Sequence, residues 1–332
     1  MQELLNSKCR LFIENRDAFK SAFPFENDNL FAVCASTFID ANKVADAEQL
    51  KSIRNMLKAR VGAFSNFRSN AELPLVAMLA VCDDPEERLD SAIGVYGILK
   101  KHFWSSEFLP ISAAVIAGAV SSERYGEICE RSKRIYTLMK KEHPFLTSSE
   151  DCIFATILAL SEKSDEEIIG EAEECYIALK KKFLDKNALQ SLSHVLALSD
   201  DGFTTPKDRC RDTAKLYDIL KERKCRYGSG YELSTLGVLG TLPVTPEETA
   251  RDLIEASEFL KTQKGYGFFG FDKQQRLLHA ALIVTSCYKG ESGVMSGAAV
   301  NGTLSMIASQ QAATCALVAV SLSTIAVTSS VR

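Results

Sequence analysis

Tyr96-Gly-Ile-Leu99-Lys100-Lys101, Tyr136-Thr-Leu-Met139-Lys140-Lys141, Tyr176-Ile-Ala-Leu179-Lys180-Lys181 and Tyr217-Asp-Ile-Leu220-Lys221-Glu222 are four copies of one pattern. Leu260-Lys261 continues the series without the tyrosine, and Leu57-Lys58 is a fainter earlier copy. The anchors at 99, 139, 179, 220 and 260 stand 40, 40, 41 and 40 residues apart. A period of that length marks a repeat architecture, in which no unit buries its apolar face until it stacks on its neighbours.

Each copy opens on a helix-start signal: Asp84-Pro-Glu-Glu87, Ser164-Asp-Glu-Glu167, Thr205-Pro-Lys-Asp208 and Thr245-Pro-Glu-Glu248. A short oxygen-bearing side chain there accepts from an otherwise unpaired backbone N–H, and acids in the first turn suit the helix dipole. Between cap and lysines, apolar residues recur at helical spacing, as in Ile168, Ala172, Cys175 and Leu179, which predicts an amphipathic helix. Between these helices lie segments apolar on most sides, at 30–39, 73–82, 108–120, 152–160, 188–198, 232–242 and 277–287. They lack the alternation of strands and read as enclosed helices.

The expectation is therefore an all-α chain of about six tandem helical hairpins of about 40 residues. A charged outer helix alternates with a buried inner one, and the units form either an α/α toroid or an open α-solenoid. The domain spans 1–290, with a helix over 1–22 and repeats over about 27–290; residues 291–332 form a separate tail. From Ser292 to Val331 there is no charged residue, and we expect this Ala/Ser/Thr-rich segment to pack as helices on the same domain. The stretch 312–330 is barely long and apolar enough to make membrane association a further reading.

The chain resembles a family of Gram-positive bacteria known as domain of unknown function 4003. The resemblance rests on Asn29-Leu-Phe-Ala32, the inner-helix starts Leu73-Pro74-Leu75 and Leu109-Pro110, the Tyr-x-x-Leu/Met-Lys-Lys copies and the uncharged tail. It covers nearly the whole length and implies no activity.

Composition narrows the function classes. A net charge of −4 gives no electrostatic reason to approach nucleic acid or an anionic membrane, although charge can still be clustered locally. The ten cysteines are scattered, without a C-x-x-C pair or zinc-ligand spacing, so neither a metal nor a cofactor is expected, and a reducing cytoplasm fits best. The amino terminus is charged throughout, unlike a signal peptide or an anchor. No P-loop, G-x-S-x-G, H-E-x-x-H or dinucleotide fingerprint is present, and the reading leans against an enzyme.

If the outer helices all run one way, their carboxyl ends and the following loops gather at one end of the array. That end collects Trp104, Phe145, Tyr227 and the loop Gly265-Tyr-Gly-Phe268-Phe269-Gly-Phe-Asp272, with the paired lysines. Read functionally it is a rim for an anionic or aromatic ligand; read structurally, the lysines complement helix dipoles and the aromatics cap the core. His194 and His279, at corresponding positions of inner helices, are the candidates for acid–base work at a central pocket, though a satisfied core histidine is the plainer reading. His102 and His143 suit helix carboxyl ends, and Tyr96, Tyr136, Tyr176 and Tyr217 suit a packing ladder. The leading functional expectation is a protein- or peptide-binding or scaffold module. The alternatives are an α/α-toroid enzyme or small-molecule binder, and a protein held at the membrane by its tail.

Overall fold

The computed structural model describes residues 1–198, 204–267 and 270–288. Fourteen α-helices and no strands occur among them. They form seven up-and-down pairs: α1 (Gln2–Ala22) with α2 (Asp28–Ala41), α3 (Ala47–Arg60) with α4 (Glu72–Ala80), and α5 (Pro85–His102) with α6 (Leu109–Ala119). Next come α7 (Tyr125–Glu142) with α8 (Cys152–Leu158), and α9 (Asp165–Leu179) with α10 (Lys186–Leu198). The series ends with α11 (Pro206–Glu222) and α12 (Leu233–Gly240), then α13 (Pro246–Lys261) and α14 (Lys273–Cys287).

One hairpin more is present than the sequence pattern suggests. The extra unit is the first: α1 pairs with α2, yet α1 starts at Met1 without a side-chain cap and carries no Tyr-x-x-Leu-Lys copy. Elsewhere the start signals act as read. Asp84 accepts from Glu87 N at 2.9 Å, and Ser164, Thr205 and Thr245 each form a reciprocal capping box with the acid three residues on. Each such cap contributes about 1 kcal/mol.

The odd-numbered helices are amphipathic. In α7, Ile128, Cys129, Ser132, Ile135 and Met139 are buried, while the opposite face is solvated. The even-numbered helices are enclosed: every residue of α8, and all of α6 from Leu109 to Ala117, is buried. Such helices need cover on all sides, and the contacts supply it. Each inner helix packs on its outer partner and on the next inner helix, in the order α2, α4, α6, α8, α10, α12, α14, and α14 packs in turn on α2. The outer helices follow the same order, and α13 packs on α1. Gln275 Nε2 donates to Asn29 Oδ1 at 3.0 Å, and Ser286 Oγ donates to the Ile39 carbonyl at 3.2 Å, so the last described hairpin lies against the first.

Two details show how tightly the layers meet. A Cβ on Gly240, at the end of α12, would stand 2.1 Å from Thr213 Oγ1 and 2.8 Å from Thr213 Cα on α11, so only glycine fits there. The tyrosine ladder is real and is built from neighbouring units. A ring in the loop that follows one outer helix packs on the tyrosine of the next: Phe67 on Tyr96 (5.1 Å), Phe103 on Tyr136 (5.4 Å), His143 on Tyr176 (4.4 Å) and Phe183 on Tyr217 (5.1 Å). The outer helices must therefore run in one direction, with their carboxyl ends side by side. The tail, 291–332, lies outside the described residues, and no described helix is long and apolar enough to cross a membrane.

Candidate functional site

The seven outer-to-inner loops share one end of the array. Asn66 Nδ2 donates to Ser105 Oγ (2.9 Å) and to the Ser106 carbonyl (2.8 Å), Gln190 Nε2 to Thr147 Oγ1 (3.0 Å), and Lys182 pairs with Asp218 (2.6 Å), so the loops after α3, α7 and α9 are each tied to a following unit. With the last turn of the helices that lead into them, these loops occupy 20–28, 58–72, 100–108, 140–151, 180–187, 221–232 and 261–273. Those stretches hold nineteen Lys and Arg against eleven Asp and Glu, in a chain whose net charge is −4. Lysine at helix carboxyl ends and acid at amino ends, repeated in parallel helices, make one end of the molecule basic and the other acidic.

Several basic side chains at the acidic end are engaged with backbone, while Arg124 and Arg211 pair with Glu127 and Asp208. Arg88 donates to the Ala117 carbonyl, Arg131 to those of Ala159 (3.0 Å) and Ser161 (2.6 Å), and Lys163 to that of Ala197 (3.1 Å). All these acceptors lie where an inner helix ends, so the cations satisfy unpaired terminal carbonyls. At the basic end, Lys100, Lys101, Lys140, Lys141, Lys180 and Lys181 are exposed, and none forms an ion pair with a described residue.

The same end carries the most exposed large apolar side chains among the described residues. Phe25, Phe64, Trp104, Phe145 and Leu184 are between 84% and 104% exposed, and no other described large apolar residue exceeds 57%. They fall in five consecutive outer-to-inner loops, next to a buried partner such as Phe23, Phe103 or Phe183 that does close the core. Trp104 and Phe145 were legible from sequence. Phe25, Phe64 and Leu184 were not, because nothing in a lone aromatic or leucine between helices says which of two neighbours turns inward.

The remaining candidates are distributed differently. Tyr227 is buried and bonded to Thr235 Oγ1 at 2.7 Å, and Asp272 caps α14 by accepting from Gln275 N at 2.8 Å; both have structural roles here. Phe268 and Phe269 lie outside the described residues. His279 is buried, with Nδ1 2.7 Å from the Tyr266 hydroxyl and its ring against Tyr266, Phe271 and Phe12, the last on outer helix α1. His194 is buried against Phe154, and its Nδ1 has no partner. The two imidazoles have separate surroundings. Burial pushes both down to about 3, Arg16 adding to the effect at His279, so each is neutral near pH 7.

Two crevices open at the basic end. One, of about 790 Å³, is bordered by Arg16, Lys20, Asp28, Lys264, Phe271 and Gln275. Arg16 is buried, donates Nε and Nη2 to Asp17 (2.9 and 2.6 Å), and leaves Nη1 without a hydrogen-bond partner beneath Gly265, whose φ of +92° only glycine adopts without strain. The other, of about 490 Å³, is polar: Arg54 bridges Glu26 and Glu72, with Lys58 3.4 Å from Glu72. Among the described residues no group of His, Cys, Asp or Glu is disposed to hold a metal ion.

Comparison with known proteins gives a family and no chemistry. The family model described as "Protein of unknown function (DUF4003)" matches residues 15–312. A relative, "Uncharacterized protein YeaA" of Bacillus subtilis (strain 168), is 23% identical over 204 residues, covering 59% of this chain. The match spans only 62% of that relative's own length. No solved structure matches.

Proposed function

The chain belongs to the DUF4003 family, and from that premise we propose that it is a non-catalytic binding module whose docking face is the basic, aromatic-tipped end. The observation that carries this is the segregation of every described, almost fully exposed large apolar side chain to that one end, among lysines of which Lys100, Lys101, Lys140, Lys141, Lys180 and Lys181 form no ion pair with a described residue. Exposed apolar groups clustered within a polar rim mark interaction surfaces. Read this way, the contacts of α13 and α14 with α1 and α2 support a closed α/α toroid over an open solenoid, with the loops as its rim. The nine described cysteines carry free thiols, which suits a cytoplasmic site of action.

The test is photo-crosslinking in cells expressing the full chain, with a benzophenone amino acid replacing Trp104 or Phe145 at the basic end, and Glu86 or Glu166 at the acidic end. Adducts from 104 and 145 but not from 86 and 166 are expected. Adducts from neither end, or equally from both, would contradict the proposal.

A second reading, favoured by the crevice over Arg16, gives it a small anion as ligand. Inorganic phosphate would then raise the melting temperature of the wild type and not of Lys264→Gln; equal shifts in both would remove it.

A further inference from the structure

We propose that the surface docked by this end is an anionic phospholipid bilayer, held by the loop tips Phe25, Phe64, Trp104, Phe145 and Leu184 and by the lysines between them. This rests on the reading of the basic end as the docking face and names its partner.

The choice of a bilayer over a protein follows from the kind of residue and its arrangement. Of the nineteen basic residues in the seven stretches, fifteen are lysine and four arginine. Protein interfaces enrich arginine, whose planar fork makes directional pairs, and deplete lysine; an anionic lipid surface needs only diffuse positive charge. Lysine also carries a long apolar stem, which lies along the acyl boundary while the ammonium stays at headgroup level.

The apolar groups point the same way. None of the five lines either of the two crevices at this end. Each stands alone on the tip of its own loop, one per hairpin, across five adjacent hairpins whose outer helices lie side by side. Separate tips on a common rim suit a fluid, laterally uniform phase, which lets each ring enter independently; aromatic residues favour that boundary. The acidic opposite end, where Asp84-Pro-Glu-Glu87, Ser164-Asp-Glu-Glu167 and Thr245-Pro-Glu-Glu248 begin their helices, is repelled by the same surface. The charge asymmetry therefore orients the molecule as well as attracting it. Docking of this kind is interfacial and needs no spanning helix, and it uses a different part of the chain from the uncharged tail.

Trp104 is the chain's only tryptophan and sits at the proposed contact, so the protein carries its own probe. Full-length protein is mixed with vesicles of equal parts phosphatidylglycerol and phosphatidylcholine, or of phosphatidylcholine alone. The expected result is co-sedimentation with the anionic vesicles only, a blue shift of Trp104 emission, quenching by brominated acyl chains, and loss of binding at high salt. The triple variant Phe64→Ser, Phe145→Ser, Leu184→Ser keeps Trp104 and alters only exposed side chains; it should melt as the wild type does and bind about tenfold or more weakly. Ile177→Ser, on the outer face, should bind normally.

The proposal is overturned if the anionic vesicles do not bind the protein, if they bind while Trp104 stays unshifted and unquenched, or if the triple variant binds as the wild type does. Protein adducts from positions 104 and 145 with no vesicle binding would leave the docking face standing and remove the bilayer; absence of adducts there would remove both.

Discussion

His194 and His279 lie in the packed interior, where an imidazolium would have to shed its hydration without a carboxylate to receive it. Their proton affinity falls accordingly, to about 3 from an ordinary 6.5. The sign of the linkage follows: the unfolded chain binds these protons first, so their contribution to stability is present above about 6.5 and is lost as the pH falls toward about 3. Because His194 Nδ1 has no partner, His194→Leu removes a buried unsatisfied nitrogen at similar volume. We expect this variant to lose less stability than the wild type between pH 7 and pH 4, by about 1–3 kcal/mol in urea titrations. Asp151 behaves in the opposite sense. Burial raises its carboxyl to about 7, against the lowering effect of the Ser148 N–H that it accepts at 2.7 Å. Its contribution is full below the ordinary carboxylate range and is lost as the pH rises through about 7. Asp151→Asn keeps an acceptor for Ser148 and should be more stabilising at pH 8 than at pH 4, by about 1–3 kcal/mol; equal effects at both would show that the carboxyl is not held neutral.

At the scale of elements, the amphipathic and enclosed helices were legible because period and composition differ so sharply between them. Inner segments 152–160 and 277–287 became α8 (Cys152–Leu158) and α14 (Lys273–Cys287), and the Ser164, Thr205 and Thr245 caps fell where the side-chain chemistry requires. The first hairpin was legible as a helix over 1–22 and an inner segment at 30–39 but not as a repeat unit, since α1 has neither a side-chain cap nor a Tyr-x-x-Leu-Lys copy and is held by packing against α13 and α14. The exposed tips were half legible for a related reason. Phe23 and Phe25, or Phe103 and Trp104, are alike in sequence, and only the loop geometry decides which one closes the core. Close approach of helices was hidden in the same way, since a glycine at a helix end reads as a terminator. At Gly240 its smallness lets α12 approach Thr213 of α11, and Gly240→Ala should cost about 1–3 kcal/mol, read as a lowered urea midpoint with unchanged m-value. An unchanged midpoint would mean that α11 and α12 are not in such contact.

At the scale of the molecule, one local rule repeated in parallel produces the functional asymmetry. Acid at each outer-helix start and lysine at each outer-helix end are each worth only a few tenths to about 1 kcal/mol to their own helix. Stacked side by side, they give a basic face bearing five almost fully exposed apolar tips and an acidic face whose loops expose Val44 at 57%, and that summed field is what a binding partner meets. The whole arrangement depends on the hairpins stacking in sequence order until the last meets the first. Its most direct test is the distance between spin labels carried on unnatural amino acids at positions 29 and 275, where Asn29 and Gln275 are joined by a hydrogen bond of 3.0 Å. Adjacent helices lie about 10 Å apart, so with label arms a single population within about 20 Å is predicted. Six successive steps without return would place the labels roughly 60 Å apart, and a distribution centred there would contradict the account.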